Sequence, residues 1–124
     1  MIRLDLSTRR LEVVLAASTS TAQVQTYVSF YDTNPQGEVT KGGQYVSTSF
    51  NNTSSMVCPG PTQNYVRNID TITFYYNDTG NVMIQARVFD TATSTATVVV
   101  RKTLVSSAII AYEDKLGWYY LTFP

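Results

Sequence analysis

The side chains that most often carry catalysis are scarce in this sequence. It has no histidine and a single cysteine, Cys58, so a nucleophilic thiol would lack its usual imidazole partner. Glu113 and Asp114 are the only adjacent acidic residues, and neighbouring residues of a strand point to opposite faces, so they do not form an acid/base pair. There is no Asp-rich loop for calcium and no paired-cysteine spacing for zinc. We therefore predict that the protein is not an enzyme and holds no metal ion or cofactor.

Tyrosine is the residue type best suited to binding. The chain has nine Tyr, five Phe and one Trp, which makes it 12% aromatic. Such amphipathic rings are enriched at protein interfaces, and they also suit sugar-binding surfaces. Tyr75-Tyr76 and Tyr119-Tyr120 are adjacent pairs, so one ring of each pair is expected to face inward and the other outward. We predict that Tyr75, Trp118 and Tyr119 contact a partner. For the outward rings the sequence leaves open a protein interface, a ligand or plain surface.

The charge balance and the short apolar runs argue against nucleic acids and membranes as partners. Nine basic and nine acidic residues cancel, and only 15% of the chain is charged. Nucleic-acid-binding proteins normally carry a basic excess, so we expect no nucleic-acid partner. The apolar runs are far shorter than the roughly 20 residues of a membrane-spanning helix, so we expect no membrane association. Glu12 interrupts the apolar run that follows Arg9 and Arg10, and we expect no signal peptide. A neutral, charge-poor surface suits a protein that is packed against others.

The second half of the chain has the pattern of short strands. In residues 69–76, Ile72, Phe74 and Tyr76 alternate with Thr71, Thr73 and Tyr75, which is the period of a half-buried strand. The turn-forming residues 77–81 then lead into a second alternating segment, which predicts a hairpin. In that segment the residues expected to share one face are Val82, Ile84, Ala86 and Val88. Regularly spaced strands of this kind are typical of a sandwich or barrel. The five predicted strands are residues 69–76, 82–89, 95–104, 108–113 and 118–123.

The first half is less regular, and its beginning resembles a separate arm. Apolar residues alternate with polar ones up to residue 15, and the small residues 18–22 could form a hinge. We therefore predict an all-β fold, an antiparallel β-sandwich of jelly-roll or immunoglobulin-like type, with an extended N-terminal arm over residues 1–17 and the sandwich over residues 18–124. An arm with alternating apolar anchors is suited to strand addition on a partner. The predicted anchors are Ile2, Leu4, Leu6, Leu11, Val13 and Leu15.

Three stretches of the sequence resemble a known class of protein. They are Met1-Ile-Arg-Leu with Leu11-Glu-Val-Val-Leu-Ala-Ala, then residues 66–82 with their Asn-Asp-Thr turn, and residues 104–118 with Tyr-Glu before Gly-Trp. Together they are similar to small virion proteins of tailed bacteriophages, of the capsid-decoration (cement) or minor structural type. In those proteins an N-terminal hydrophobic arm precedes a strand that ends in an Asn-Asp-Thr turn, and a closing hairpin follows.

The resemblance implies a function. It implies a virion structural protein that decorates and cements the capsid by binding between neighbouring capsid subunits. Its partner would be the major capsid protein, its oligomeric state a homotrimer, and its location the capsid surface after synthesis in the host cytoplasm. The alternative is a tail-fibre or receptor-binding module that recognises host surface glycans through exposed Tyr side chains and Trp118.

Overall fold

Nine β-strands among the described residues make up the framework that positions the candidate site. The computed structural model describes residues 2–18, 24–47, 50–51, 54–76, 82–104 and 118–121. Within those ranges it contains no helix, and hence none that is long and apolar enough to cross a membrane. The strands are β1 (Ile2–Leu4), β2 (Arg9–Ser18), β3 (Gln25–Thr33), β4 (Val39–Val46), β5 (Ser55–Cys58), β6 (Val66–Tyr75), β7 (Val82–Asp90), β8 (Thr95–Leu104) and β9 (Trp118–Leu121).

The strands pair antiparallel in two sheets. Sheet A has the order β1-β6-β3-β4, and β9 also pairs with β6. Because β3 pairs along the whole of β6, β1 and β9 share the other edge of β6, with Ile2 opposite Ile69 and Leu121 opposite Ile72. Sheet B has the order β5-β2-β7-β8. The prediction of an all-β, antiparallel fold is confirmed, and the two sheets share one core as in a β-sandwich.

Alternation along the strands builds that core. In β6 the predicted inward residues Ile72 and Phe74 are buried, as is Tyr76 just beyond the strand, whereas Thr73 and Tyr75 are half-buried. In β7 the inward residues are Val82, Ile84 and Ala86, as the sequence predicts. The last predicted strand is observed over Trp118–Leu121. Residues 108–113, the pair Glu113-Asp114 and the turn 77–81 lie outside the described residues.

The segment predicted to be an arm forms part of both sheets in this structure. β1 pairs with β6, and β2 lies in the middle of sheet B between β5 and β7. A detachable arm and a half-buried strand have the same alternation of apolar and polar residues, so the pattern alone does not distinguish them. Of the six predicted anchors, only Leu6 is exposed, in the turn before β2; Ile2, Leu4, Leu11, Val13 and Leu15 are buried in the chain's own core.

A buried ion pair joins β3 to β6 at one end of the sandwich. Arg67 Nε and Nη2 each donate to a carboxylate oxygen of Asp32 at 2.9 Å. Its Nη1 donates to the carbonyl of Pro59, also at 2.9 Å, and its guanidinium lies 4.2 Å from the ring centre of Phe30. Gly43 of β4 faces the same ring, because a Cβ atom at residue 43 would lie 2.9 Å from Phe30 Cζ.

Candidate functional site

The predicted aromatic residues belong to one sheet. Tyr75 is half-buried and alternates with the buried Phe74 and Tyr76, as predicted. In β9, Trp118 pairs with Tyr75 and Tyr119 pairs with Phe74. Tyr27 and Tyr31 were not predicted as site residues; they are half-buried on the outer face of β3, the same outer face as Tyr75. Their alternation with Thr26, Val28 and Phe30 is the signal that would have identified them.

Large exposed apolar side chains are concentrated at the edges of the sheets. On β4, the edge of sheet A, Val39 is 65% exposed and Val46 is 54% exposed. On the two edges of sheet B, Val57 of β5 is 41% exposed and Val98 of β8 is 39% exposed. Among the described strand residues, all the large apolar side chains in the exposed class lie on these edge strands. These valines were not predicted from the sequence, because whether a strand lies at the edge or the centre of a sheet depends on strand order.

Two of these valines border a charged row across sheet B. The register places Val57, Glu12, Arg87 and Val98 side by side on β5, β2, β7 and β8. The buried carboxylate of Glu12 accepts a hydrogen bond from Arg87 Nε at 2.9 Å and one from Arg10 Nε at 3.0 Å. The guanidinium of Arg10 also lies 4.7 Å from the ring centre of Phe89. This face therefore combines paired charges with an apolar residue at each edge.

A polar cleft opens where the sandwich is not closed, between β1 and β8. Its volume is about 470 Å³, which falls in the range typical of ligand sites. The side chains that line it come from β1, β2, the end of β7 and the start of β8 with its preceding turn. They are Arg3, Arg9, Val88, Asp90, Thr93, Thr95, Thr97 and Val99.

The two arginines of this cleft differ in their partners. Arg9 Nη1 lies 2.7 Å from the carboxylate of Asp5, and Arg9 Nε lies 3.3 Å from that of Asp90. The hydrogen bond to Asp90 and the charge of Asp5 raise the pKa of Arg9, and the backbone N–H of Ala92 lowers the pKa of Asp90. The Arg3 side chain is exposed and has no hydrogen bond or ion pair with any described residue. Arg3 is thus the cation of the cleft that is open to a ligand.

The groups that line the cleft are suited to binding a ligand through charge and hydrogen bonds. The cleft offers a guanidinium group and the hydroxyl groups of three threonines, of which those of Thr93 and Thr95 are 2.7 Å apart. The alternation of threonine at positions 91, 93, 95 and 97 was the available sequence signal for this surface. Within the described ranges, no group of three or more His, Cys, Asp or Glu residues is placed to hold a metal ion.

Comparisons with known proteins identified no relative of this chain. No protein-family model matches the chain, and searches of curated proteins and of solved structures returned no match.

Proposed function

We propose that this protein is a structural component of a bacteriophage virion that decorates and cements the capsid by binding between neighbouring subunits of the major capsid protein. The observation that carries the proposal is the placement of Val39, Val46, Val57 and Val98 on edge strands. The resemblance of the sequence to virion decoration proteins supplies the class of partner.

The edge valines support lateral contact with other proteins for a physical reason. Natural sheets usually protect their edges with charged residues, prolines or bulges, because an unpaired edge is a template for another strand. β4 contains Lys41, and its register with β3 shifts between Asp32 and Thr33, but the strand also presents two exposed valines, one at each end. Burying a valine side chain completely contributes about 1.5–3 kcal/mol, so burial of these valines in an interface would stabilise the complex relative to the free protein. On a capsid the same gain would recur at every symmetry-related position.

The N-terminal strand supports an oligomer, which we propose to be a homotrimer. β1 has three residues and is joined to β2 by a turn that ends at Thr8. Exchange of β1 between copies would preserve the burial of Ile2 and Leu4, because the same groove of β6 would receive them from a neighbour. β2 is in the middle of sheet B and is unsuited to this role. The exchangeable part of the predicted arm is therefore residues 1–6.

The test is sedimentation of the purified protein with capsid shells assembled without it. Wild-type protein is expected to pellet with the shells. The lysine variants V39K/V46K, V57K and V98K place a charge on each edge in turn, and the one on the contacting edge is expected to weaken binding at least about tenfold, since burial of an unpaired charge costs several kcal/mol. T71K is the matched control, because Thr71 is exposed on the central strand β6. Failure of the wild-type protein to pellet would refute the proposal, and equal binding of all variants would refute the role of the edges.

The tyrosines of sheet A favour the second candidate function, a receptor-binding module for host glycans. Tyr27, Tyr31 and Tyr75 are partly accessible on one face, and the backbone pairing of β9 brings Trp118 opposite Tyr75. A sugar that stacks on these rings would lose affinity when Tyr31 or Trp118 is changed to alanine. A glycan array with the wild-type protein tests this candidate, and an array without signal would exclude it.

A further inference from the structure

The inner face at the start of β8 lacks the cover that the inner faces of β2 and β7 have. Along β2 and the first half of β7 the inward side chains are buried, for example Leu11, Val13 and Ile84. Along β8 the inward residues Thr95 and Thr97 are exposed, although they lie on the core side of sheet B. Among the described strands, β1 is the last of sheet A on that side, and it has only three residues, so sheet A does not cover them.

In the part of the chain that the structure describes, the strands on both sides of the cleft have unpaired edges. Among the described strands, β1 pairs only with β6, and β8 pairs only with β7. An extended segment alongside β1 would continue sheet A by one strand and would lie over Thr95, Thr97 and Val99. It would gain backbone hydrogen bonds from β1 and would bury the threonine face at the same time, as in other cases of strand addition.

The charge of the cleft favours an extended segment that carries an acidic side chain. Arg9 is already paired with Asp5 and Asp90, whereas Arg3 has no partner among the described residues. A carboxylate placed beside Arg3 would form a charge-assisted hydrogen bond, and a lysine there would be repelled. Asp90 would oppose a second carboxylate deeper in the cleft. Among the described residues, the lining of the cleft includes no aromatic ring on which a sugar could stack, which favours a peptide over a glycan.

We propose that the cleft between β1 and β8 binds an extended segment of a protein partner, with one acidic side chain held by Arg3 and small or apolar side chains on Thr95, Thr97 and Val99. The identity of that partner as a capsid subunit rests on the proposed function, while the cleft and its preference for an acidic strand rest on the geometry above.

The test uses the full chain and a fluorescein-labelled peptide, Ser-Val-Glu-Val-Ser with blocked ends. Fluorescence polarisation is expected to show binding that weakens about tenfold when the peptide Glu is replaced by Gln or when Arg3 is changed to alanine, the scale of one charged hydrogen bond. R101A is the matched control, because Arg101 is an exposed arginine on β8, on the face opposite to that of Thr95 and Thr97. Peptide-induced amide shifts are expected at residues 2–4 and 95–99.

Three results would overturn the inference: equal binding of the Glu and Gln peptides, R3A protein that binds like wild type, and binding of glucuronic acid with no peptide binding at millimolar concentration. Sedimentation with shells separates this inference from the proposed function. If wild-type and R3A protein pellet equally with shells, the cleft is not the capsid contact. If no shells are bound but the peptide binds through Arg3, the cleft inference stands and the proposed function fails.

Discussion

At the scale of single residues, Arg67 is a buried cation whose charge must be balanced inside the protein. Its guanidinium forms a bidentate pair with Asp32, donates to the Pro59 carbonyl and lies over the Phe30 ring. The hydrogen bond to Asp32 raises the pKa of Arg67 despite its burial. A buried pair of this kind contributes little net stability compared with apolar residues of similar size, but removing one partner leaves an uncompensated charge.

We therefore expect Arg67→Met to lower the free energy of unfolding by about 3–5 kcal/mol, because the carboxylate of Asp32 would remain buried without a cation. The double variant R67M/D32L should recover most of that loss. Urea unfolding measures both, and R101M at an exposed position is the control, expected within about 0.5 kcal/mol of wild type. A small effect of R67M alone would contradict the buried ion pair.

Cys58 is a buried thiol and not a reactive one. Burial raises its pKa to about 11, although the charge of Arg67 opposes this shift. Above pH 9 the unfolded chain loses the thiol proton and the folded chain keeps it, so this group's contribution to stability is present below about pH 9 and is lost as the pH rises towards 11.

We expect the wild-type protein to lose more stability than Cys58→Ala over that pH interval, as measured by urea unfolding at matched pH values. At pH 8 the thiol should react with a maleimide only after unfolding. Rapid labelling of the native protein would show that the thiol is accessible.

At the scale of elements, β4 and β3 fit together through a ring packed on a glycine. Gly42 and Gly43 are adjacent, and neither has a positive φ. A Cβ atom at Gly43 would lie 2.9 Å from Phe30 Cζ, whereas one at Gly42 would approach only the Phe30 carbonyl, at 3.8 Å. Phe30 has little room to move, because it is packed against Arg67 and Tyr45.

Gly43→Ala is therefore expected to destabilise the protein by about 1–3 kcal/mol, the usual cost of overpacking. Gly42→Ala should be neutral or slightly stabilising, because alanine restricts the unfolded backbone and meets no obstacle. Thermal unfolding of the two variants compares them directly. If both substitutions had the same effect, close packing of Phe30 on Gly43 would not be the cause.

The elements were predicted to different degrees. Alternation in β6 and β7 predicted which residues are buried, because both are long strands with one inner and one outer face. β4 was harder to predict, since Gly42 and Gly43 resemble loop residues and only the ring of Phe30 on Gly43 explains a glycine within a strand. The cleft was not predicted at all, because it arises where β1 ends and β8 continues in a different sheet.

At the scale of the whole molecule, the N-terminal segment ties the two sheets together. β1 belongs to sheet A and β2 to sheet B, and the turn between them is held to the β7–β8 turn by Thr91, whose N–H and hydroxyl both donate to the Thr8 carbonyl. The segment is therefore part of the fold in this structure, whatever further role its first residues have in an assembly.

Truncations should separate those two roles. Removal of residues 1–6 deletes the buried Ile2 and Leu4 and is expected to lower the free energy of unfolding by about 3–6 kcal/mol. Removal of residues 1–16 also deletes most of the central strand of sheet B and is expected to abolish cooperative unfolding. Circular dichroism and urea unfolding measure both outcomes. A cooperative transition in the longer truncation would mean that residues 1–16 form an independent arm after all.

The sequence by itself determined the fold class and the faces of the regular strands, because an alternating pattern of apolar and polar residues has a local physical cause. Only the tertiary structure decided strand order, and strand order decides which valines lie on edges, that β2 is a central strand, and that Arg3 lines the same cleft as Thr95 and Thr97. These are relations between residues far apart in the chain, set by which edges pair, and no local pattern contains them. For the same reason five of the six predicted anchors are buried in the core, whereas the edge strands and the cleft that form the candidate site are accessible.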